Sequence, residues 1–83
     1  LSELKLFPNP TSNTVTVNLM SKETAQANLT VTNLMGQTVY SENISIETGN
    51  NQYQINVSDF GAGFYMLNIH TKAGSTTQKL IVR

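Results

Sequence analysis

Polar and apolar residues alternate with period two along most of the chain, the repeat of a strand that buries one face and wets the other. Thr14-Val15-Thr16-Val17-Asn18-Leu19 is the cleanest run, with Val15, Val17 and Leu19 on the inner face and the threonines outside. The same alternation recurs in Leu29 to Thr32 and in Tyr53 to Val57. Leu4 to Phe7, Val39 to Ile46, Tyr65 to Ile69 and Thr76 to Val82 complete a set of about seven short strands.

Turn chemistry fills the gaps. Met35-Gly36-Gln37, Gly49-Asn50-Asn51, Gly61-Ala62-Gly63 and Lys72-Ala73-Gly74-Ser75 each join two successive strands. Only Ser21 to Gln26 suits a helical turn, and it is too short and polar to stand alone. Gaps this short cannot carry the crossovers that parallel strands need, so the sheets are expected to be antiparallel. The expected fold is all-β, an immunoglobulin-like antiparallel sandwich. Its expected core is Leu6, Val15, Val17, Leu19, Leu29, Val31, Leu34, Val39, Ile55, Val57, Phe60, Tyr65, Leu67, Ile69, Leu80 and Val82.

With 83 residues, 39% of them hydrophobic, the chain has apolar surface for one core and one domain, residues 1–83. Leu1-Ser2-Glu3 lacks an initiator Met and an export-type leader, so residues 1–3 read as the remnant of a linker from a larger precursor. No apolar run approaches the roughly 20 residues of a membrane-spanning helix, and membrane insertion is not expected.

Charge narrows the function classes. The formal net charge is zero and 12% of residues are charged, which leaves no basic stripe to neutralise phosphates and makes nucleic acid a poor partner. Surface polarity comes instead from Ser, Thr, Asn and Gln. There is no cysteine, hence no disulfide framework and no thiolate metal site. Glu3, Glu23, Glu42, Glu47 and Asp59 are scattered without the spacing that pairs two carboxylates on one strand face. His70, the single histidine, falls on the outward phase of its strand without a second ligand nearby. Ser58 and Thr71 sit in no nucleophile elbow. Neither an enzyme nor a cofactor is expected.

Asn28, Asn43 and Asn56 each begin an acceptor pattern for N-glycosylation, a pattern that chance supplies in a chain so rich in Asn, Ser and Thr. Tyr40, Tyr53 and Phe64 suit either an exposed stacking surface or the rim of a small sandwich; the rim is the simpler reading.

Three stretches have a mechanical purpose. In Phe7-Pro8-Asn9-Pro10 both prolines remove a ladder donor and restrain the preceding residue, so the first strand stops or lies at an edge. Gly61 and Gly63 let the chain turn sharply between sheets, after which Tyr65 points its ring inward with its hydroxyl in reach of loop backbone, in the manner of a tyrosine corner. Lys79-Leu80-Ile81-Val82-Arg83 is a short apolar strand bracketed by two cations.

Taken in order, these stretches resemble the C-terminal sorting domains of the type IX secretion system of Bacteroidetes, type A class, over essentially the full length. Phe7, Pro8, Asn9 and Pro10 match the opening motif, and Leu29 to Gly36 with Gln37 matches the strand-then-glycine segment. Gly63 and Tyr65 match the glycine-x-tyrosine motif, and Lys79, Leu80, Val82 and Arg83 the terminal lysine-led strand. Asn33 stands where members often carry an acidic residue, and Arg83 where many end in Lys.

The resemblance implies a non-catalytic tag that directs an N-terminal cargo from the periplasm across the outer membrane to the cell surface or medium. It implies recognition by the translocon and removal by a sortase-like surface protease, with the cut before Leu4. We expect the recognition element to be the last strand, Thr76 to Arg83, offered at a sheet edge for strand addition, an arrangement that also permits a weak homodimer. The alternative is a carbohydrate-binding or fibronectin-like accessory module, which needs a row of exposed aromatics; a structural spacer is a further rival.

Overall fold

The computed structural model describes residues 3–83. Seven strands follow one another along the chain: β1 (Glu3–Phe7), β2 (Thr14–Ser21), β3 (Ala25–Asn33), β4 (Thr38–Ile46), β5 (Gly49–Asn56), β6 (Gly63–Thr71) and β7 (Gly74–Val82). They form a three-stranded sheet in the order β1-β2-β5 and a four-stranded sheet in the order β4-β3-β6-β7, with every strand pair antiparallel. The all-β, immunoglobulin-like sandwich expected from the period-two pattern is the fold. Leu1 and Ser2 of the assigned linker remnant lie outside the described residues, and Glu3 is the first residue of β1.

Side chains on the inner phase of both sheets meet in one core. Val15, Val17 and Leu19 of β2 face Leu29 and Val31 of β3, Leu67 and Ile69 of β6, and Leu80 and Val82 of β7, all nearly or fully buried. Removing these surfaces from water, at roughly 1.5 to 3 kcal/mol per large aliphatic side chain, is the main force holding the sheets together.

The outer faces are wet and cross-linked by uncharged polar side chains. Asn28 Nδ2 donates to Asn43 Oδ1 at 3.0 Å and Asn68 Nδ2 to Thr77 Oγ1 at 2.7 Å, each pair bridging neighbouring strands. This is the structural use of a composition rich in Asn, Ser and Thr and poor in charge.

Two expected core residues are on the surface. Leu34 is 73% exposed because it belongs to the β3–β4 turn rather than to β3. Val39 is 39% exposed because the inward phase of β4 is set by Ile44 and Ile46 and runs back to Tyr40, which leaves Val39 on the outer phase, at the register shift opposite Val31 and Thr32. Ile44, Ile46, Leu4 and Ala27 join the core, while Leu6 and Phe60 pack at its margin.

Ser21 to Gln26 forms no helical turn, because β2 runs through Ser21 and β3 begins at Ala25. The Ser21 hydroxyl closes the link by donating to Glu23 O at 2.6 Å. Gly49 to Asn51 is the start of β5 rather than a turn. The buried Asn51 amide accepts from Glu47 N and donates to Glu47 O, both at 2.9 Å, and so ties the preceding corner.

Candidate recognition surface

The register places four distant segments at one pole of the sandwich. Val82 pairs with Gly63, Tyr65 with Asn33, and Thr14 with Asn56, so the ends of β3, β5 and β7 gather with the starts of β2, β4 and β6. The opening motif, the Gly36 turn, the Gly63–Tyr65 segment and the terminal strand therefore share that pole.

Phe7 ends β1 opposite Thr16 and points away from the core, 44% exposed. Pro8 and Asn9 are exposed and Pro10 half-buried, and both X–Pro peptide bonds are cis. Asn9 reaches the terminal strand: its Nδ2 donates to Lys79 O at 2.9 Å, and Ile81 N donates to its Oδ1 at 3.0 Å. Thr11, 5% exposed, continues the contact as a parallel bridge to Val82, with Thr11 N donating to Ile81 O at 3.0 Å and Arg83 N to Thr11 O at 2.9 Å.

Between β3 and β4 the chain turns in four residues, Leu34 to Gln37. Gly36 N donates to Asn33 O at 3.0 Å and Asn33 N to Gln37 O at 2.9 Å, with Gly36 at φ +85°, the left-handed conformation this hairpin demands. Asn33 Oδ1 accepts from Met35 N and Gln37 N at 2.9 and 3.0 Å, bonds that a carboxylate could equally accept. Leu34 and Met35 are consequently held out at the tip, 73% and 79% exposed.

Tyr65 is buried, with its ring 5.7 Å from that of Phe60. Its hydroxyl shares its one proton between two backbone oxygens of the preceding loop, Phe60 O and, at 2.8 Å, Gly61 O, which is the tyrosine corner expected from the sequence. Gly63, half-buried, opens β6 opposite Val82. Tyr65 thus organises the pole from within.

The terminal strand divides by phase. Leu80 and Val82 are in the core, whereas Lys79 and Arg83 are exposed and Ile81 is half-buried on the outer face. Lys79 Nζ lies 5.3 Å from the centroid of the Phe64 ring, a cation–π contact. Phe64, 49% exposed, and Met66, 37% exposed, adjoin Ile81 and Lys79 across the β6–β7 ladder. Sequence reasoning singled out neither Met66 nor Thr11. Met66 could have been found by counting one position outward from Leu67.

A family model, that of the secretion system C-terminal sorting domain, matches residues 5–83. The chain belongs to that family. The sorting domain is the C-terminal signal for type IX secretion, which carries an attached cargo across the outer membrane to the cell surface or medium. A comparison with curated proteins finds no match.

The remaining surface of the sorting domain is plain. Among the described residues no group of three or more His, Asp or Glu side chains could hold a metal, and no helix is long and apolar enough to cross a membrane. His70 is exposed on the outer face of β6, as its phase predicted. The shallow clefts lie at the opposite pole, around Glu23 to Asn28 and Thr71 to Thr76. Phe7 and Phe64 point outward from different sheets, and Tyr40 and Tyr53 lie half-buried at the margin of the core, so the row of aromatics that the accessory-module reading requires is not formed.

Proposed function

We propose that the type IX machinery reads the sorting domain at its motif pole, with β7 as the central element and Lys79 and Arg83 as its exposed charges. The observation that carries this reading is the convergence at one pole of Phe7 to Pro10, Gly36, Gly63 and Lys79 to Arg83, although they are spread over the chain. Phe7, Pro8, Asn9 and Pro10 shape the entry, and Gly36, Gly63 and Tyr65 fix the loops. Leu80 and Val82 anchor the terminal strand, and the outer face formed by Phe64, Met66, Lys79 and Ile81 meets the partner.

In this reading the cargo reaches the periplasm by a separate export signal, the translocon engages the folded tag there, and a sortase-like surface protease cuts before Leu4. The domain contributes a shape and no chemistry of its own.

The test is a fusion of the chain behind a periplasmically exported fluorescent protein in a host with type IX machinery, assayed at the cell surface and in the medium. Deleting Lys79 to Arg83 removes Leu80 and Val82, which are 0% and 4% exposed, and so damages the core as well as the signal. Lys79→Ala and Arg83→Ala are the sharper variants. Loss of export with unchanged melting supports recognition through this strand; normal export of the double variant refutes it.

A further inference from the structure

The outer edge of β7 is occupied by the chain itself. In the ladder with β6, Leu80 pairs with Tyr65 and Val82 with Gly63, and the intervening Lys79, Ile81 and Arg83 turn their backbone groups away from β6. Lys79 O, Ile81 N, Ile81 O and Arg83 N all have partners there, supplied by the side-chain amide of Asn9 and the backbone of Thr11. The segment from Asn9 to Thr11 thus behaves as a short surrogate strand.

That surrogate is built to be weak. Pro8 and Pro10 have no N–H to donate, so the segment cannot lengthen into a true ladder. Asn9 bonds through its side chain, and both of its bonds are exposed to water. Thr11, buried and with its hydroxyl donating to Thr14 O at 2.8 Å, is the strongest hold of the three, and its two backbone bonds to β7 set how often the strap opens. An incoming extended strand would offer the same donors and acceptors, so replacing the segment exchanges hydrogen bonds instead of losing them, and the net difference is small compared with the cost of leaving them unmade. Edge strands left bare are templates for unwanted pairing, which a removable cover prevents until the right partner arrives.

We propose that Asn9 to Thr11 is a displaceable strap over the outer edge of β7, and that an extended segment of a partner protein displaces it and adds beside Lys79 to Arg83 by main-chain hydrogen bonds. This rests on the reading of β7 as the recognition element. It also joins the opening motif to the terminal motif: the first covers what the second presents.

Amide hydrogen exchange on the 83-residue chain tests the strap without any secretion assay. Ile81 and Arg83 amides are expected to exchange at least about 100-fold faster than those of Leu67 and Leu80 in the β6–β7 ladder, because the strap opens on its own. Asn9→Ala is expected to speed Ile81 exchange by about a further tenfold. Equal protection of all four amides would mean that the strap leaves only when the whole fold does, and would overturn the proposal.

The partner is tested by locking the strap. Thr11→Cys with Val82→Cys joins the two partners of the parallel bridge in an oxidising periplasm. Export of the oxidised, locked fusion is expected to fall at least about tenfold below that of the same double variant treated with a mild reductant, a comparison in which the two substitutions themselves cancel. Equal export of the locked and the reduced form would show that the strap need not open, and would overturn the proposal. Normal export of Lys79→Ala/Arg83→Ala would instead strike at the recognition reading, and the exchange data would still decide whether the strap opens.

Discussion

Gln78 and Leu4 join the two sheets across their shared open side: Gln78 Nε2 donates to Leu4 O at 3.2 Å, from the edge strand of one sheet to the edge strand of the other. Tyr53 does the same on the opposite side, its hydroxyl donating to Ser45 O at 2.5 Å between β5 and β4. Each contact satisfies a carbonyl that a bare edge would leave to solvent. Gln78→Ala is expected to lower stability by about 0.5 to 1.5 kcal/mol, read as a fall in the urea midpoint at an unchanged slope.

Lys79 and Phe64 separate recognition from stability. Their cation–π contact is exposed on both sides and contributes about 0.5 to 1 kcal/mol. Lys79→Ala and Phe64→Ala are each expected to melt near the parent. A double-mutant cycle on denaturation should give a coupling of that size or smaller. Export of the corresponding fusions is expected to fall far more than the loss of folded fraction explains. Export that tracks melting in all three variants would assign these residues to folding alone.

Tyr65 is the opposite case, because its hydroxyl organises the loop from inside. Tyr65→Phe keeps the ring against Phe60 but leaves Phe60 O and Gly61 O without that donor, at a cost of about 1 to 3 kcal/mol. For a domain of this size that is a fall in melting temperature of roughly 4 to 8 °C per kcal/mol. Secretion of the fusion is expected to recover at lower growth temperature, as it would not if the hydroxyl met the partner directly.

Most of the fold is legible in the period-two pattern because each strand is half-buried, and burial fixes phase. Val15, Val17 and Leu19 could point only one way. The pattern misleads where a strand offers two phases: β4 takes the phase of Ile44 and Ile46, which runs back to Tyr40 and leaves Val39 outside. Leu34 misleads for a different reason, since an apolar residue in a tight turn is displayed by the backbone whatever its own preference. At the recognition surface, the residues of the four motifs were visible in the sequence but their meeting was not. The Asn9 contacts with Lys79 and Ile81 span 70 and 72 residues and use a side-chain amide in place of a strand, which no local periodicity encodes.

Alkaline pH should weaken the fold through the tyrosines at the β4–β5 side. The Tyr53 phenol is raised above its ordinary value near 10 by burial first and then by the negative charges of Glu47 and Glu42. Tyr40 is raised by its hydrogen bond to Glu42, then by burial and by the same charge. Between the ordinary and the raised pKa the folded chain keeps a proton that the unfolded chain has released. This contribution to stability is therefore fully present below about pH 10 and is lost as pH rises through the folded value. Melting temperature is expected to be independent of these ionisations around neutral pH, where the contribution is complete, and to fall as they proceed above about pH 10. Tyr53→Phe should melt lower at neutral pH, having lost its bond to Ser45 O, yet decline less steeply in the alkaline range. An alkaline slope identical in the parent and in the Tyr40→Phe/Tyr53→Phe double variant would show that other groups carry the effect.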